Sequence, residues 1–288
     1  MLITIDLFDK TILHILTYGC EVWGFTCLEM IEKVQLKFMK MLLHLKQSTP
    51  SFMIYGELSI YPVSVKIKTR MLMFWFKLLK SRSENKLSFI LYDFMYKQFE
   101  SGLNDNMYLT CNRKLLIEVG LYKLWLSQDT DGLNPIWFKA HVKRTLKDQF
   151  IQSWYSKIDN DSLYTSYRLF KNVFKQENFI KVLPKACAIE LIRFRTTNNK
   201  LPVNCLRQTG IERHERRCNK CSLNEIGDEY HYFLVCPFFE KKRKELFDRL
   251  FYEKPNTSKF YDLLNSGSKV KLLKIKHFIS IISKEMKS

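Results

Sequence analysis

No stretch of the chain approaches the roughly eighteen uncharged apolar residues that a membrane-spanning helix needs. Short apolar stretches such as Met71 to Phe76 and Phe278 to Ile282 read as core, which excludes a membrane partner. The first ten residues carry Asp6 and Asp9, with no basic flank ahead of an apolar region and no small-residue cleavage site, so no secretory signal is expected. Eight cysteines in 288 residues are too sparse for a disulfide scaffold. Five of them, Cys20, Cys27, Cys111, Cys187 and Cys205, stand singly among apolar residues, as buried thiols do. A reducing, intracellular setting follows as the expectation, in nucleus and/or cytoplasm. The chain also lacks a repeat of fixed period, a low-complexity tract, a phosphate-cradling glycine loop, a Gly-x-Ser-x-Gly elbow and a second His-rich metal site.

What is present is helix and positive charge. Apolar residues recur three and four apart over Leu7 to Tyr18, Leu28 to Leu45, Val63 to Leu79, Leu87 to Phe99, Arg113 to Leu126, Pro135 to Ile158 and Ser162 to Phe174. Further helices are predicted from Pro184 to Arg195, about Pro237 to Phe251, and Lys269 to Lys284. Strand signals are few, so the expected fold is mainly α. Polar breaks fall at Gln47 to Ser51, Ser81 to Lys86, Ser101 to Asn106, Gln128 to Asn134 and Thr196 to Pro202. The predicted division is a helical body over residues 1–200, a small metal-binding turn and helix module over 201–255, and a C-terminal helix over 256–288. The 47 basic against 29 acidic residues leave a formal charge of +18, an excess that calls for an anionic partner, most commonly nucleic acid. A solvated basic surface is the alternative.

One constellation carries chemistry in its spacing. Cys218 and Cys221, followed by His231 and Cys236, form C-x2-C-x9-H-x4-C. Two thiolates two residues apart grip one ion from a tight turn, and an imidazole and a third thiolate approach from the facing side, closing a tetrahedron with no position left for water. A structural Zn2+ is expected, with no catalysis at the metal. A short segment has too little core to fold alone, and metal binding becomes its folding energy. The alternative is a redox or buried Cys-x-x-Cys beside a core histidine. Cys205 and His214 are substitute ligands.

Cys218-Asn219-Lys220-Cys221, then Gly227-Asp228-Glu229-Tyr230-His231-Tyr232-Phe233 and Leu234-Val235-Cys236-Pro237, resemble the C-terminal zinc-binding segment of non-LTR (LINE-type) retrotransposon reverse transcriptases. Ile192-Arg193-Phe194-Arg195-Thr196 resembles the turn before that segment, and Leu16-Thr17-Tyr18-Gly19-Cys20-Glu21-Val22-Trp23-Gly24 resembles the stretch after the palm of the same polymerases. The resemblance implies a thumb-like and C-terminal region, handling template RNA or target DNA. In the family, polymerisation depends on paired aspartates N-terminal to the Tyr-Gly-Cys-Glu-Val-Trp-Gly stretch, and here only Met1 to Thr17 precede it. Asp129 with Asp131 and Asp159 with Asp161 lie in polar loop sequence and read as turns or caps. The chain is therefore expected not to be an enzyme by itself, and an intact retrotransposon polymerase acting in trans is a candidate partner.

Around the metal pattern lie Arg213, Arg216, Arg217 and Lys220, and after Pro237 come Lys241, Lys242, Arg243 and Lys244. These eight are the candidate contacts to RNA and/or DNA, with salt-sensitive binding expected. Tyr230, Tyr232 and Phe233 are candidates for stacking on bases, although Phe233 reads better as packing beneath the metal. Lys139, Lys143, Arg144 and Lys147 form a second basic row at helical spacing, with Trp137 and Phe138 behind it. The alternative function is a helical scaffold that binds proteins, with an inert Cys-x-x-Cys.

Overall fold

A computed structural model describes residues 1–84 and 86–286; Asn85, inside the predicted break at Ser81 to Lys86, lies outside them. Among the described residues, eighteen α-helical segments, several 3-10 turns and one π-helical turn make up the regular structure. Among the described residues the β-structure is a single antiparallel bridge, Arg217 with Ile226, so the chain is mainly α.

Residues 2–36 and 61–153 form one compact unit. Its central helix, Val63–Lys80, buries Trp75 and Phe76. Trp75 stacks on Trp125 at 6.4 Å and Phe76 on Phe138 at 4.5 Å, burying large aromatic faces against one another. The indole N–H of Trp75 donates to Tyr92 Oη at 2.8 Å, and that hydroxyl donates to Gln128 Oε1 at 2.7 Å, so the indole N–H and the phenol hydroxyl are both paired in the core. Leu16 to Gly24 becomes a compact turn ending in the short helix Cys20–Trp23. Gly19 takes a left-handed φ of 66°, and Trp23 Nε1 donates back to Tyr18 O at 2.9 Å. A Cβ on Gly24 would meet Cys20 O at 2.3 Å and Ile67 Cγ2 at 2.4 Å. Gly24→Ala is expected to destabilise this unit by about 1–3 kcal/mol, read from the midpoint of urea unfolding; an unchanged midpoint would contradict the packing of the turn on Val63–Lys80.

Residues 37–60 and 154–288, together with Met1, form the other unit. Phe233 lies at its centre, within 6 Å ring-to-ring of Phe194, Phe247, Phe260 and Phe278. These rings come from Lys185–Arg195, Thr257–Leu264, Lys269–Glu285 and the end of the helix Glu240–Leu246. Residues 201–255 are therefore not a self-contained module: their apolar side is shared with helices before and after them. The predicted division at 200 and 255 is not the one that the packing makes.

Periodicity located most of the long helices, and the departures have physical reasons. Ser51–Leu58 was not predicted, because Phe52 through Leu58 are all buried and a helix without a wet face has no amphipathic period. Arg113 to Leu126 is instead Met107–Glu118 and Tyr122–Ser127, divided where Gly120 adopts a left-handed φ of 74°. Over Ser162 to Phe174 only Thr165–Arg168 is helical. There Lys171 turns inward to Glu177 Oε1 at 2.6 Å and to the Lys175 carbonyl, folding the chain back on itself.

Candidate metal centre

The two halves of the pattern are positioned by different devices. Cys218 and Cys221 sit in a tight turn clamped at its base: Cys218 N donates to Glu225 O at 2.8 Å and Gly227 N to Arg216 O at 2.8 Å. A Cβ at Gly227 would stand 3.0 Å from Pro202 Cγ and 3.1 Å from Arg217 O, so a small residue lets this hairpin lie close to its neighbour. On the other side, Asp228 caps a short helical segment, accepting from His231 N at 3.0 Å. Five residues of α-helix would leave His231 and Cys236 roughly 140° apart around the axis. The segment His231–Val235 is a π turn instead, closed by Cys236 N donating to His231 O at 2.7 Å, and this wider turn returns the fifth residue to the same side.

The result is a cluster in which the ligand atoms of Cys218, Cys221, His231 and Cys236 all lie within 4.8 Å of one another. Cys218 Sγ to Cys236 Sγ is 3.9 Å and Cys221 Sγ to His231 Nε2 is 3.4 Å. A tetrahedral ion with thiolate and imidazole ligands needs edges of about 3.8 Å between sulfurs and about 3.5 Å from sulfur to nitrogen. The two sulfurs are far outside the roughly 2.05 Å of a disulfide, and every cysteine of the chain is free. Cys218, His231 and Cys236 are buried. The substitute ligands do not enter: Cys205 is exposed, and His214 Nδ1 pairs with Glu212 at 3.2 Å on the surface.

Around the four ligands stands a polar shell. His231 Nδ1 meets Glu225 Oε2 at 2.9 Å, which orients Nε2 toward the sulfurs. Burial opposes ionisation of the Cys218 thiol, but the Tyr232 hydroxyl, the Lys220 N–H, Cys221 and the charge of His231 outweigh it and bring it down to about 7. The Cys236 thiol is pushed up to about 12, first by burial and then by the neighbouring thiolates, with the Phe238 N–H pulling the other way. A cation at the centre reverses the repulsion between thiolates. The Glu225 contact had no signal in the sequence, since Glu225 is an exposed loop residue; the Asp228 cap was legible three residues before His231. Glu225→Ala is expected to weaken metal binding about 10- to 100-fold, measured by competition with a chromogenic chelator. Affinity equal to the parent protein would show that the carboxylate does not orient the imidazole.

The eight basic candidates divide. Arg216 is buried, with Nε and Nη2 donating to Ile211 O at 2.9 and 2.7 Å and Nη1 to Val203 O at 3.0 Å. Arg243 is buried as well, donating to Phe233 O at 2.8 Å and Cys236 O at 2.9 Å, where it closes the carbonyl end of the π turn. Both are spent on main-chain carbonyls and correct the expectation that they face a ligand. Arg213 pairs with Asp228 at 3.0 Å, Lys242 with Glu245 at 2.8 Å and Lys244 with Glu240 at 2.6 Å. Arg217 and Lys241 are exposed and Lys220 half-buried. Tyr232 and Phe233 are fully buried, so neither is a stacking platform; Tyr230 is half-buried, edge-on to Phe260.

Elsewhere, Asp129 Oδ1 accepts from Asp131 N at 2.8 Å and Asp161 Oδ1 from Leu163 N and Tyr164 N, so these carboxylates close turns. Lys139, Lys143 and Arg144 are exposed on Pro135–Asn160, Lys147 lies 4.3 Å from the Tyr61 ring, and Trp137 is exposed beside His141 where packing had been expected. Among the described residues no helix is long and apolar enough to cross a membrane. Compared with protein-family models, with curated proteins and with solved structures, the chain finds no match.

Proposed function

We propose that this chain is a zinc-containing nucleic-acid-binding protein, similar to the region that follows the palm in LINE-type reverse transcriptases and without a polymerase site of its own. The observation that carries the reading is the closed set of three sulfurs and one imidazole nitrogen, with edge lengths that suit tetrahedral Zn2+. Cys218, Cys221, His231 and Cys236 would hold the ion. Zinc supplies rigidity there and no chemistry, since four protein ligands leave no open position. The residues around it then act on a polyanion. Arg217, Lys220 and Lys241 present charge beside the fixed turn, and the net charge of +18 draws the partner in. Contacts of this kind neutralise phosphates without reading bases.

The resemblance is supported by the way its motifs fold: the Leu16 to Gly24 stretch needs both of its glycines, and the ligand-bearing stretches converge. Gel shifts with single-stranded RNA and DNA test the reading. Log affinity is expected to fall with log salt at about 0.7 per phosphate contacted. No shift at low salt, with capture of a defined acidic protein instead, would favour the scaffold reading. Exposed apolar residues of the N-terminal unit, Ile3, Ile15, Tyr18 and Met30, are the observation on its side.

A further inference from the structure

A second cationic feature lies away from the four ligands. The helix Lys185–Arg195, the loop after Arg195 and the C-terminal helix Lys269–Glu285 line a cleft of about 290 Å3. Its floor is apolar, Phe194 and Ile279, and its rim carries Arg193, Lys200 and Lys284. All three basic side chains are exposed, and among the described residues none is in an ion pair. The one acidic residue of the rim, Glu190, is occupied: its Oε2 accepts from Ser280 Oγ at 3.1 Å and pairs with Lys276 Nζ at 3.3 Å. The cleft therefore presents three uncompensated positive charges over an apolar floor.

The loop that carries Lys200 is held in place before any ligand arrives. Asn198 Oδ1 accepts from Lys46 N at 2.9 Å and Thr49 Oγ1 at 3.1 Å, and its amide donates to Thr196 O at 2.8 Å. Asn199 donates to Glu229 Oε1 at 3.0 Å and accepts from Leu201 N at 3.2 Å. Anchored on both sides, the loop loses little freedom on binding, which leaves more of the contact energy for affinity. Three exposed cations lining one preformed concavity match an anionic group with an apolar neighbour. A phosphate joined to a sugar has that composition.

We propose that this cleft binds a phosphate group of a single-stranded polynucleotide, with Arg193, Lys200 and Lys284 neutralising it and Phe194 and Ile279 supporting the sugar. The inference rests on the nucleic-acid reading above for the source of the phosphate, and on different residues for the contact. The test uses the full chain with bound zinc and a fluorescein-labelled single-stranded oligonucleotide, followed by anisotropy across a salt series. The triple variant Arg193→Glu, Lys200→Glu, Lys284→Glu is expected to lose at least about 10-fold in affinity at low salt, with a slope in log salt shallower by about 1 or more. The triple alanine variant should show the same direction with a smaller loss, and its unchanged thermal melt secures the fold. An equal reversal on the exposed Lys114, Lys123 and Lys157 sets the effect of net charge alone.

A loss no greater than that of this control overturns the proposal. Saturable broadening of the phosphorus signal of inorganic phosphate, abolished by the triple variant while oligonucleotide affinity stays unchanged, overturns it in favour of a free phosphate. The two readings fail separately: Arg217→Glu with Lys220→Glu leaving affinity intact, while the cleft variant weakens it, removes the metal-side contacts and keeps the cleft. A parent protein that binds no oligonucleotide at low salt removes both.

Discussion

Purified under reducing conditions, the protein is expected to carry one zinc per chain and to lose about 10–20 °C in Tm when a strong chelator removes it. The magnitude follows from two steps. Structural zinc contributes on the order of 10 kcal/mol to the folding of small sites, and a loss of even half of that is about 5 kcal/mol. For a unit of this size, each kcal/mol moves Tm by roughly 2–4 °C. The effect should reach beyond the metal, because the π turn that aims His231 also sets Tyr232, Phe233 and Leu234 into the core. With the ion gone, Cys218, Cys221 and Cys236 no longer share a cation, and the turn that presents Phe233 to Phe194, Phe260 and Phe278 relaxes. Cys218→Ser should abolish stoichiometric metal and reproduce the chelator's melt. Elemental analysis with near-ultraviolet circular dichroism makes the measurement. A metal-free chain that melts at the same temperature, with and without chelator, would sink the assignment.

Arg195→Met is expected to destabilise the protein by about 3–5 kcal/mol, as large an effect as any single substitution here. Arg195 is completely buried on Lys185–Arg195 and meets Glu57 Oε1 and Oε2 at 3.1 and 2.9 Å, Phe170 O at 3.0 Å and Asn265 Oδ1 at 2.8 Å. Glu177 Oε1 lies 3.4 Å from its Nη2 and 2.6 Å from Lys171 Nζ. Two cations and two carboxylates thus compensate one another in the interior. Burial works against the charge of Arg195, but Glu57 and Glu177 outweigh it and raise its pKa; for Lys171 burial wins and lowers it. Removing one cation leaves a buried carboxylate unpaired, which costs far more than the pair's net contribution. Urea unfolding checks the number, and a double-mutant cycle with Glu57→Leu isolates the coupling. A loss under about 1 kcal/mol for Arg195→Met would show that water reaches Glu57.

Arg193 and Arg195 show how far sequence reading carries. Both stand in the Ile192 to Thr196 stretch and look alike on paper. Two residues apart on a helix they face different ways, so Arg195 enters the core and Arg193 stays in water. The same holds for Arg216 and Arg217, and for Arg243 between Lys242 and Lys244. A charge run on a helix or turn announces positive residues, but it does not say which one is folded inward to satisfy carbonyls.

The candidate metal ligands were legible because coordination imposes a short local spacing, C-x2-C with H-x4-C, that few other constraints produce. The long helices were legible where one face is wet, as over Leu28–Leu42 and Val63–Lys80. The fully buried Ser51–Leu58 was not, and neither was its partnership with Arg195, since contacts between residues far apart in sequence leave no local pattern. Sequence alone determined the helical class, the excess charge and the identity of the four clustered side chains, all of them properties of composition or short spacing. Only the tertiary structure decided that the metal segment shares its core with neighbouring helices, that a π turn aligns His231 with Cys236, and which cations remain exposed. Those depend on long-range packing, where burial and the need to pair every polar group select among residues that look equivalent along the chain.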